Sequence, residues 1–231
     1  MEKKPQISST YDDMFEQGGF DQVFDLPYQS SCYYPMYHAV LKVLQNKKVE
    51  NVLEVGCGSG AFAHMLFEKT HIGYRGFDFS PVAVEKAKRR TSKESAFYVA
   101  DALNAENYAT LSSSIICTEV LEHIPNDLEL VSIWPAGTFC VCSVPNFDST
   151  YHERFFRSEA EVAERYGKLL DIKTIARIKK PILSDISRSN FFRQLRWNRY
   201  RPKRLKELLG FGNFDEVGGW FIFTGYRVED K

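Results

Sequence analysis

A glycine-rich turn that follows a buried strand is the feature that most limits what this chain can fold into. The valine-rich apolar run VENVLEV is typical of a buried parallel strand, and it leads directly into GCGSG at residues 56–60. Three glycines, each separated by one residue, let a ligand approach the backbone closely. In an α/β sheet such a turn lies at the carboxyl edge of the strands, where ligands bind. The sequence therefore predicts a ligand site on this turn.

Apolar runs and helical patterns alternate along the rest of the chain. Further strands are predicted at YRGFDFS, SAFYVAD, SSIICTEV and TFCVCSVPN. Ser80 followed by Pro81 is typical of a helix start, and Ser158 with Glu161 forms the pattern of a capping box. The runs LLDIKTIARI and WFIFTGYRV predict a terminal antiparallel pair of strands. This order predicts an α/β fold with a mostly parallel, doubly wound sheet and helices on both faces.

Composition narrows the class of protein. Of the 231 residues, 44% are hydrophobic and 26% are charged, which suits a globular domain with a sizeable core. The formal net charge is zero, which argues against attraction of the whole chain to nucleic acid or to a membrane. No apolar run is long enough to span a membrane or to form a signal peptide, so we expect a cytoplasmic protein. The five cysteines lack a C-x-x-C pair and are expected to be reduced core thiols.

Two acidic residues indicate the chemistry of the ligand. Glu54 precedes the glycines and suits an ammonium group better than a pyrophosphate, and Asp101 ends the third strand, where it can read an adenine amino group. We therefore expect a ligand with a cationic amino-acid end and an adenosine end. The spacing Gly56-x-Gly58-x-x-Ala61 also fits the loose dinucleotide fingerprint, so a nicotinamide-binding or non-catalytic Rossmann protein stands as an alternative.

Four segments in this order resemble the class I S-adenosylmethionine-dependent methyltransferases: VLEVGCGSG, GFDFS, VADAL and EVLEHIPND, over roughly residues 48–146. The resemblance implies a Rossmann-like seven-stranded sheet with its last strand antiparallel, and S-adenosylmethionine as the cofactor. It also implies that Asp78 accepts hydrogen bonds from the ribose hydroxyls. The cofactor-binding residues implied by the family are Glu54, Gly56, Cys57, Gly58, Gly60, Asp78, Phe79, Asp101, Ala102, Thr118 and Glu119.

Two histidines are candidate catalytic residues. A methyl group on a sulfonium is already activated, so the enzyme must chiefly align a nucleophile with it, and an oxygen nucleophile usually needs a base as well. His123 in LEHIP titrates near neutrality, and His152 in STYHERFF follows the fifth strand toward the same edge. The alternative for His123 is a ring that packs within a helix. His64 and His71 are expected to be structural.

A metal site is a further alternative at the same place. Glu119, Glu122, His123 and His152 resemble the metal cluster of the small-RNA 2′-O-methyltransferases, which carry an E-x-x-E-H run and a later histidine. Two carboxylates and two imidazoles suit several divalent metals. The run EVLEHIP is also common in metal-free methyltransferases of small molecules, so we assign no metal from the sequence.

Acceptor specificity is expected to come from two segments outside the family match. Residues 1–45 predict an N-terminal helical cap or lid, and residues 46–231 form the methyltransferase core. The cap holds five tyrosines that suit an aromatic lid over the cofactor: Tyr11, Tyr28, Tyr33, Tyr34 and Tyr37. The alternative for this segment is an amphipathic cap that packs on the sheet.

The second segment is a basic insert at residues 179–206. It carries ten basic residues against one acid, a net charge of +9 in a neutral chain. Arg193, Arg196 and Arg199 are spaced to share one helical face. We expect methyl transfer to an oxygen or nitrogen of a small or glycan-linked metabolite, and the insert allows for an anionic one. The alternatives are an RNA methyltransferase that uses the insert, and an insert that is only a solvated loop.

Overall fold

The computed structural model describes residues 8–109 and 114–229 of the chain. Its centre is a seven-stranded sheet with the order β3-β2-β1-β4-β5-β7-β6. The strands are β1 (Asn51–Val55), β2 (Gly73–Asp78), β3 (Phe97–Val99), β4 (Ser114–Cys117), β5 (Phe139–Pro145), β6 (Leu170–Lys179) and β7 (Gly219–Arg227). The first five strands pair in parallel, whereas β7 is antiparallel to both β5 and β6. The predicted Rossmann-like α/β sheet with an antiparallel last strand is confirmed.

Helices cover both faces of this sheet. They are α1 (Ser8–Glu16), α2 (Tyr34–Asn46), α3 (Ala61–Lys69), α4 (Pro81–Thr91), α5 (Asp127–Ser132), α6 (Glu159–Tyr166), α7 (Arg188–Trp197), α8 (Pro202–Leu208) and α9 (Phe214–Val217). Leu53 and Val55 of β1 face the core that includes Tyr166 of α6. Val52, one residue away on the other face, packs with Leu44 of α2. The doubly wound arrangement follows from this two-sided burial.

The helix-start signals behave largely as the sequence predicts. The Ser80 hydroxyl accepts a hydrogen bond from the Ala83 amide, and Pro81 occupies the first turn of α4. Ser158 likewise accepts from the Glu161 amide at the start of α6. The capping box predicted there is only half formed, because the Glu161 carboxylate accepts from the Arg157 amide, one residue earlier than a box requires.

The N-terminal segment lies over one side of the carboxyl edge. Tyr11 and Phe15 of α1 form a small apolar cluster with Ala83 of α4. Of the five tyrosines of the predicted lid, Tyr11 is the one in this cluster, and the lid itself stays a prediction. The other four tyrosines pack with the core between α2, α3 and the sheet: Tyr28, Tyr33, Tyr34 and Tyr37. The division of the chain at residues 45 and 46 stays a prediction.

The connection between β6 and β7 lies at the same edge, because Lys179 pairs with Gly219 and Pro145 pairs with Trp220. Residues 180–218 fold into α7, α8 and α9 instead of a plain loop. Since α7 ends at Trp197, Arg199 lies beyond it, and the prediction of one helical face shared with Arg193 and Arg196 is wrong.

The same connection is joined to the N-terminal segment. The Cys32 amide donates to the Ser184 carbonyl at 2.8 Å, and the Ile186 amide donates to the Ser30 carbonyl at 2.7 Å. These bonds flank an antiparallel bridge between Ser31 and Asp185. All five cysteines are buried and unbridged, as expected. None of the helices in residues 8–109 and 114–229 has the length and apolar character needed to cross a bilayer.

Candidate functional site

The glycine turn after β1 is fixed by the last residue of β2. One carboxylate oxygen of Asp78 accepts from the Gly58 amide at 2.9 Å, and the other accepts from the Ser80 amide at 3.0 Å. Burial raises the pKa of Asp78 to about 6, although these amide bonds pull it down in part. The predicted ribose-binding carboxylate thus lies directly against the predicted cofactor loop.

The turn also touches the segment that follows β4. Gly56 has φ 69°, and a Cβ there would lie 2.3 Å from Cγ2 of Val120. Only glycine fits this close approach and this left-handed backbone. Val120 stands between Glu119 and Glu122, so the glycine turn and the EVLEHIP segment are neighbours. Gly60 has φ 73° and begins α3.

The side chains of Glu54 and Cys57 are both buried, so they are less accessible to a ligand than the sequence suggests. The hydroxyl of Tyr74 on β2 donates to the Glu54 carboxylate, and burial raises the pKa of Glu54 to about 8. The Cys57 side chain packs with Ala63 and Val84 in the apolar cluster between the turn and α4. The Cys57 amide donates to the Phe77 carbonyl, and its thiol contacts the Gly58 carbonyl at 3.8 Å.

The three residues predicted to meet adenine lie just beyond β2 and β3, and Asp101 stands two residues after β3 instead of at its end as predicted. The Phe79 ring contacts the Tyr11 ring edge to face, with the centroids 5.0 Å apart. Asp101 is exposed, and one of its carboxylate oxygens accepts from the Leu103 amide. The Ala102 carbonyl accepts from a tyrosine hydroxyl. Their contact with adenine stays a prediction.

Thr118 and Glu119 directly follow β4, which ends one residue earlier than predicted, and the backbone of Glu119 is strained. Glu119 has φ 57°, a left-handed conformation that non-glycine residues seldom adopt. Its amide donates to the Ser143 hydroxyl of β5 at 3.0 Å. Such outliers persist only where the surroundings hold them, and they are common at functional sites.

Two carboxyl groups meet behind this turn. Glu122 is fully buried, and neither of its carboxyl oxygens has a partner among the described residues. Although part of Glu119 reaches solvent, its Oε1 is also buried and unpartnered in the described part of the chain. Burial raises the pKa of both groups, and repulsion between them raises that of Glu122 further. A buried, unsatisfied carboxyl pair is costly without a ligand to use it.

His123 and His152 are brought together as predicted. Their ring centroids lie 5.0 Å apart in an edge-to-face arrangement. Nδ1 of His123 lies 2.9 Å from the Tyr151 carbonyl, and Nδ1 of His152 lies 3.2 Å from the Phe147 carbonyl. A carbonyl only accepts hydrogen bonds, so Nδ1 is the donor of each ring in these contacts, and a neutral His123 then keeps its lone pair on Nε2. Burial, with a smaller contribution from His152, lowers the pKa of His123 to about 4, so this ring is neutral at pH 7 and the expectation that it titrates near neutrality is wrong.

Residues 28–180 match a family model described as a methyltransferase domain, and this match covers more than half of the chain. The chain belongs to that methyltransferase family. The resemblance to the class I S-adenosylmethionine-dependent methyltransferases is confirmed, and with it the expectation of an enzyme that takes S-adenosylmethionine as its cofactor. The alternative of a nicotinamide-binding protein is set aside by this result.

Solved structures share the fold of this methyltransferase. The methyltransferase domain of the bacterial protein CtHen1-C has a TM-score of 0.54 at 16% identity, over 84% of this chain and 99% of that chain. YjhP from E. coli has a TM-score of 0.53 at 17% identity, over 83% and 91%. A putative methyltransferase in complex with the Haloferax volcanii activator Trm112 gives 0.51 at 20% identity, over 78% and 83%. At these identities the similarity is one of fold.

Several residues of the site lie outside the family motifs. Arg154 donates to the carbonyls of Leu121, Ile124 and Pro125, at 2.5, 2.7 and 2.9 Å, and so holds the turn that carries His123. In the sequence, Arg154 is one cation in the run HERFFR, and nothing there distinguishes it from a surface residue.

Tyr11 of α1 is the second such residue. Its ring centroid lies 6.1 Å from that of His123 and 5.0 Å from that of Phe79. Its hydroxyl is buried and has no hydrogen-bond partner among the described residues. Tyr11 therefore stands between the predicted adenine side of the methyltransferase and its histidine pair. Its hydroxyl is a hydrogen-bond donor that no described residue uses.

The methyltransferase also has a set of atoms that fits a metal ion. Ligand atoms of Glu122, His123 and His152 lie within 4.8 Å of one another. Both histidines are oriented through Nδ1 by backbone carbonyls, which is how metal-binding imidazoles are commonly held. The unpartnered Glu122 carboxyl supplies the negative charge. One oxygen and two nitrogen donors suit divalent transition metals better than magnesium.

Proposed function

We propose that this enzyme transfers the methyl group of S-adenosylmethionine to an oxygen or nitrogen nucleophile of a small or glycan-linked metabolite. One observation carries the proposal. Gly56 of the predicted cofactor loop packs on Val120, two and three residues before Glu122 and His123, so this loop and the histidine pair share one edge of the sheet. Proximity and alignment are the main requirements of methyl transfer from a sulfonium.

The cofactor is proposed to lie along the carboxyl edge from β2 to β4. Asp78 accepts from the ribose hydroxyls, and the amides of the glycine turn face the methionine part. Phe79, Asp101 and Ala102 border the adenine. The methyl group then points toward Thr118 and Glu119, whose neighbours in the chain are the acidic and histidine side chains of the EVLEHIP turn.

The two histidines are proposed to handle the proton of the acceptor. Because Nδ1 of each ring donates to a backbone carbonyl, Nε2 is the atom that takes the proton as the nucleophile attacks the methyl group. Tyr11, with its buried hydroxyl, is placed to donate a hydrogen bond to the acceptor or cofactor. The cover formed by α1 excludes water, which strengthens these interactions.

The acceptor class is tested by following the methyl group. The purified enzyme is incubated with S-adenosylmethionine and with separate small-molecule, glycan and RNA fractions, and products are detected by mass spectrometry as a gain of about one methyl group and by release of S-adenosylhomocysteine. We expect methylation in a small-molecule or glycan fraction, lost in the His123→Ala, His152→Ala double variant. Methylation of RNA alone would refute the proposed acceptor class. Cofactor binding without methyl transfer to any fraction would contradict the catalytic proposal.

A metal-assisted reaction is the second candidate, and the cluster of Glu122, His123 and His152 favours it. A bound divalent metal supplies Lewis-acid activation of an acceptor hydroxyl. In that case Nε2 of each histidine and the Glu122 carboxylate hold the ion, and the Tyr151 and Phe147 carbonyls orient the rings. The buried carboxyl of Glu122 then gains the partner that it lacks among the described residues.

Metal content separates the two candidates. The protein is purified, its bound metals are measured by mass spectrometry, and turnover is assayed before and after chelation and metal return. The metal candidate predicts about one equivalent of a transition metal, lost in Glu122→Gln but retained in Glu106→Gln, a change of an exposed acid on a distant turn. A metal-free protein with full turnover after chelation would leave the histidines as general bases alone.

A further inference from the structure

The large apolar side chains that are exposed are not spread evenly over the protein. Nine such side chains are exposed in the described part of the chain. Five of them lie in a single stretch of 20 residues inside the β6–β7 connection: Phe192, Trp197, Tyr200, Leu209 and Phe211. Trp197 is 74% exposed and Tyr200 is 83% exposed. Patches of this kind mark sites of protein or membrane interaction. We call residues 188–211 the basic aromatic face.

Positive charge is concentrated on the same face. Eight basic residues lie here and all are exposed: Arg188, Arg193, Arg196, Arg199, Arg201, Lys203, Arg204 and Lys206. Against them stands one acid, Glu207, which pairs with Arg204 at 3.1 Å. The formal charge of the whole chain is zero, so the positive charge belongs to this face and not to the protein at large. A local cluster of this size attracts anionic surfaces.

The helices of the face have an inner side that is apolar and sheltered. Phe191 and Leu208 line a cavity of about 260 Å³ between these helices and the end of β6, together with Ile182 and Leu183. Phe192 and Trp197 point the other way, into solvent. The exposed rings therefore project from the surface instead of lining a groove.

We propose that the basic aromatic face docks on an anionic lipid bilayer. Arginine and lysine meet the headgroups, and the projecting tryptophan, tyrosine and phenylalanine rings enter the interface, where amphipathic aromatic side chains are most stable. This mode needs no spanning helix, and it explains why bulky apolar rings stand in water beside eight cations. A basic face that bound only a soluble anion would have no use for them.

The β6–β7 connection that carries this face starts and ends at the same edge of the sheet as the histidine pair. Lys180 lines the cavity, and its Nζ lies 4.5 Å from the centroid of the Phe147 ring. The Phe147 carbonyl in turn orients His152. The docking itself does not rest on the proposed catalytic chemistry.

Vesicle co-sedimentation tests the proposal. The full chain is mixed with phosphatidylcholine vesicles, with or without phosphatidylglycerol, at low and physiological salt. We expect binding to the anionic vesicles that weakens with salt, and little binding to the neutral ones. The Trp197→Ser, Tyr200→Ser, Phe211→Ser variant should bind about tenfold more weakly or worse. The Arg196→Gln, Arg199→Gln, Arg204→Gln variant should lose about 100-fold.

The controls separate this face from general charge and from catalysis. A Lys42→Gln, Lys48→Gln, Arg89→Gln variant removes three exposed cations elsewhere and should bind vesicles normally. The His123→Ala, His152→Ala variant should also bind normally, even if it is inactive. All variants are checked for folding by their affinity for S-adenosylhomocysteine.

Several outcomes would overturn the proposal. They are equal binding to neutral vesicles, normal binding by either face variant, and no binding to anionic vesicles. A single-stranded RNA oligomer serves as the competitor, because aromatic rings beside arginines also stack on bases. If the face variants lose RNA binding while the wild type ignores vesicles, the face is a nucleic-acid surface and the membrane proposal fails.

Discussion

His123 and His152 meet edge to face with their ring centroids 5.0 Å apart, and each is oriented through Nδ1 by a backbone carbonyl. Because we propose that the two rings act in one reaction, we predict that their effects on turnover are not additive. Each alanine variant should lower kcat by about 10²–10⁴-fold, and the double variant should lose little more. His71→Ala, an exposed change, is the control. If either single variant has a normal kcat, the histidine replaced in it has only a packing role.

Asp78 gives a pH-dependent prediction. Its folded-state pKa of about 6 lies above the ordinary value, so the carboxylate is protonated as pH falls through 6. Protonation removes an acceptor for the ribose hydroxyls, and affinity for S-adenosylhomocysteine should fall about tenfold by pH 5. Calorimetry of the wild type and of Asp78→Asn measures the effect, and the variant should bind more weakly by about 1.5–3 kcal/mol with no such pH dependence.

The raised pKa of Asp78 has the opposite effect on folding stability: as pH falls, cofactor affinity decreases but the contribution of Asp78 to the free energy of unfolding increases. A group that binds its proton more tightly when folded stabilises the protein as pH falls, here from about 6 toward the ordinary value near 3.8. The difference in unfolding free energy between wild type and Asp78→Asn should therefore shift in favour of the wild type across this window. Asp171→Asn, at the far end of the sheet, is the control. A difference that is flat with pH would contradict the raised pKa.

Arg154 is predicted to be a positioning residue. Its guanidinium donates to three carbonyls of the turn before α5, and a lysine cannot supply the same fork. Arg154→Lys should lower unfolding free energy by about 2 kcal/mol and kcat by about tenfold, with little change in cofactor affinity. Denaturant unfolding and steady-state kinetics measure the two effects. Arg157→Lys, an exposed change three residues later, should alter neither.

Phe15 on α1 is predicted to act as part of a cover over the cofactor. Its ring lies 3.6 Å from where a Cβ on Gly58 would stand, and α1 is tied to α4 by the bond from Ser80 to Asp12. Phe15→Ala should speed dissociation of S-adenosylhomocysteine about tenfold, measured by stopped flow, because the cover closes less firmly. Phe20→Ala, which is 48% exposed, should have a small effect. Equal effects of both variants would mean that α1 is only a support for α4.

Glu119 offers a test of stored strain. Its left-handed backbone and buried Oε1 both oppose folding. Glu119→Gly should raise unfolding free energy by about 1 kcal/mol relative to Glu119→Ala, since the two variants lack the same carboxylate but only glycine accepts φ 57° without strain. Both variants should lose activity alike. An alanine variant as stable as the glycine variant would show that the turn relaxes.

Much of the fold was readable from the sequence because its signals are local. The run VENVLEV contains β1, and Ser80 with Pro81 begins α4 as predicted. The helices of the β6–β7 connection were only partly predicted, because the spacing of Arg193, Arg196 and Arg199 indicated a helix while the charges of the segment also suit a solvated loop. Ser187, whose hydroxyl accepts from the Asn190 amide, was the local signal for the start of α7.

The residues of the candidate site could be predicted from the sequence where they belong to a recognisable motif. Asp78, the glycine turn and the histidine pair come from segments with recognisable patterns, and the structure brings them to one edge. Arg154 holds carbonyl groups that lie about 30 residues earlier in the sequence. The backbone carbonyls of Tyr151 and Phe147 orient the rings of His123 and His152. A sequence pattern holds no sign of a backbone carbonyl that orients a ring, so such partners emerge only when the chain is folded.

The position of β7 between β5 and β6 has a consequence for newly made protein. In the described part of the chain, β6 pairs with β7 alone, and every residue of β5 is buried in the finished sheet. Before Gly219–Arg227 leave the ribosome, β5 has one open apolar edge and β6 has no partner. Unpaired edges of this kind invite aggregation. The half of the sheet beside the two histidines thus stays vulnerable during synthesis until its last-made strand is inserted.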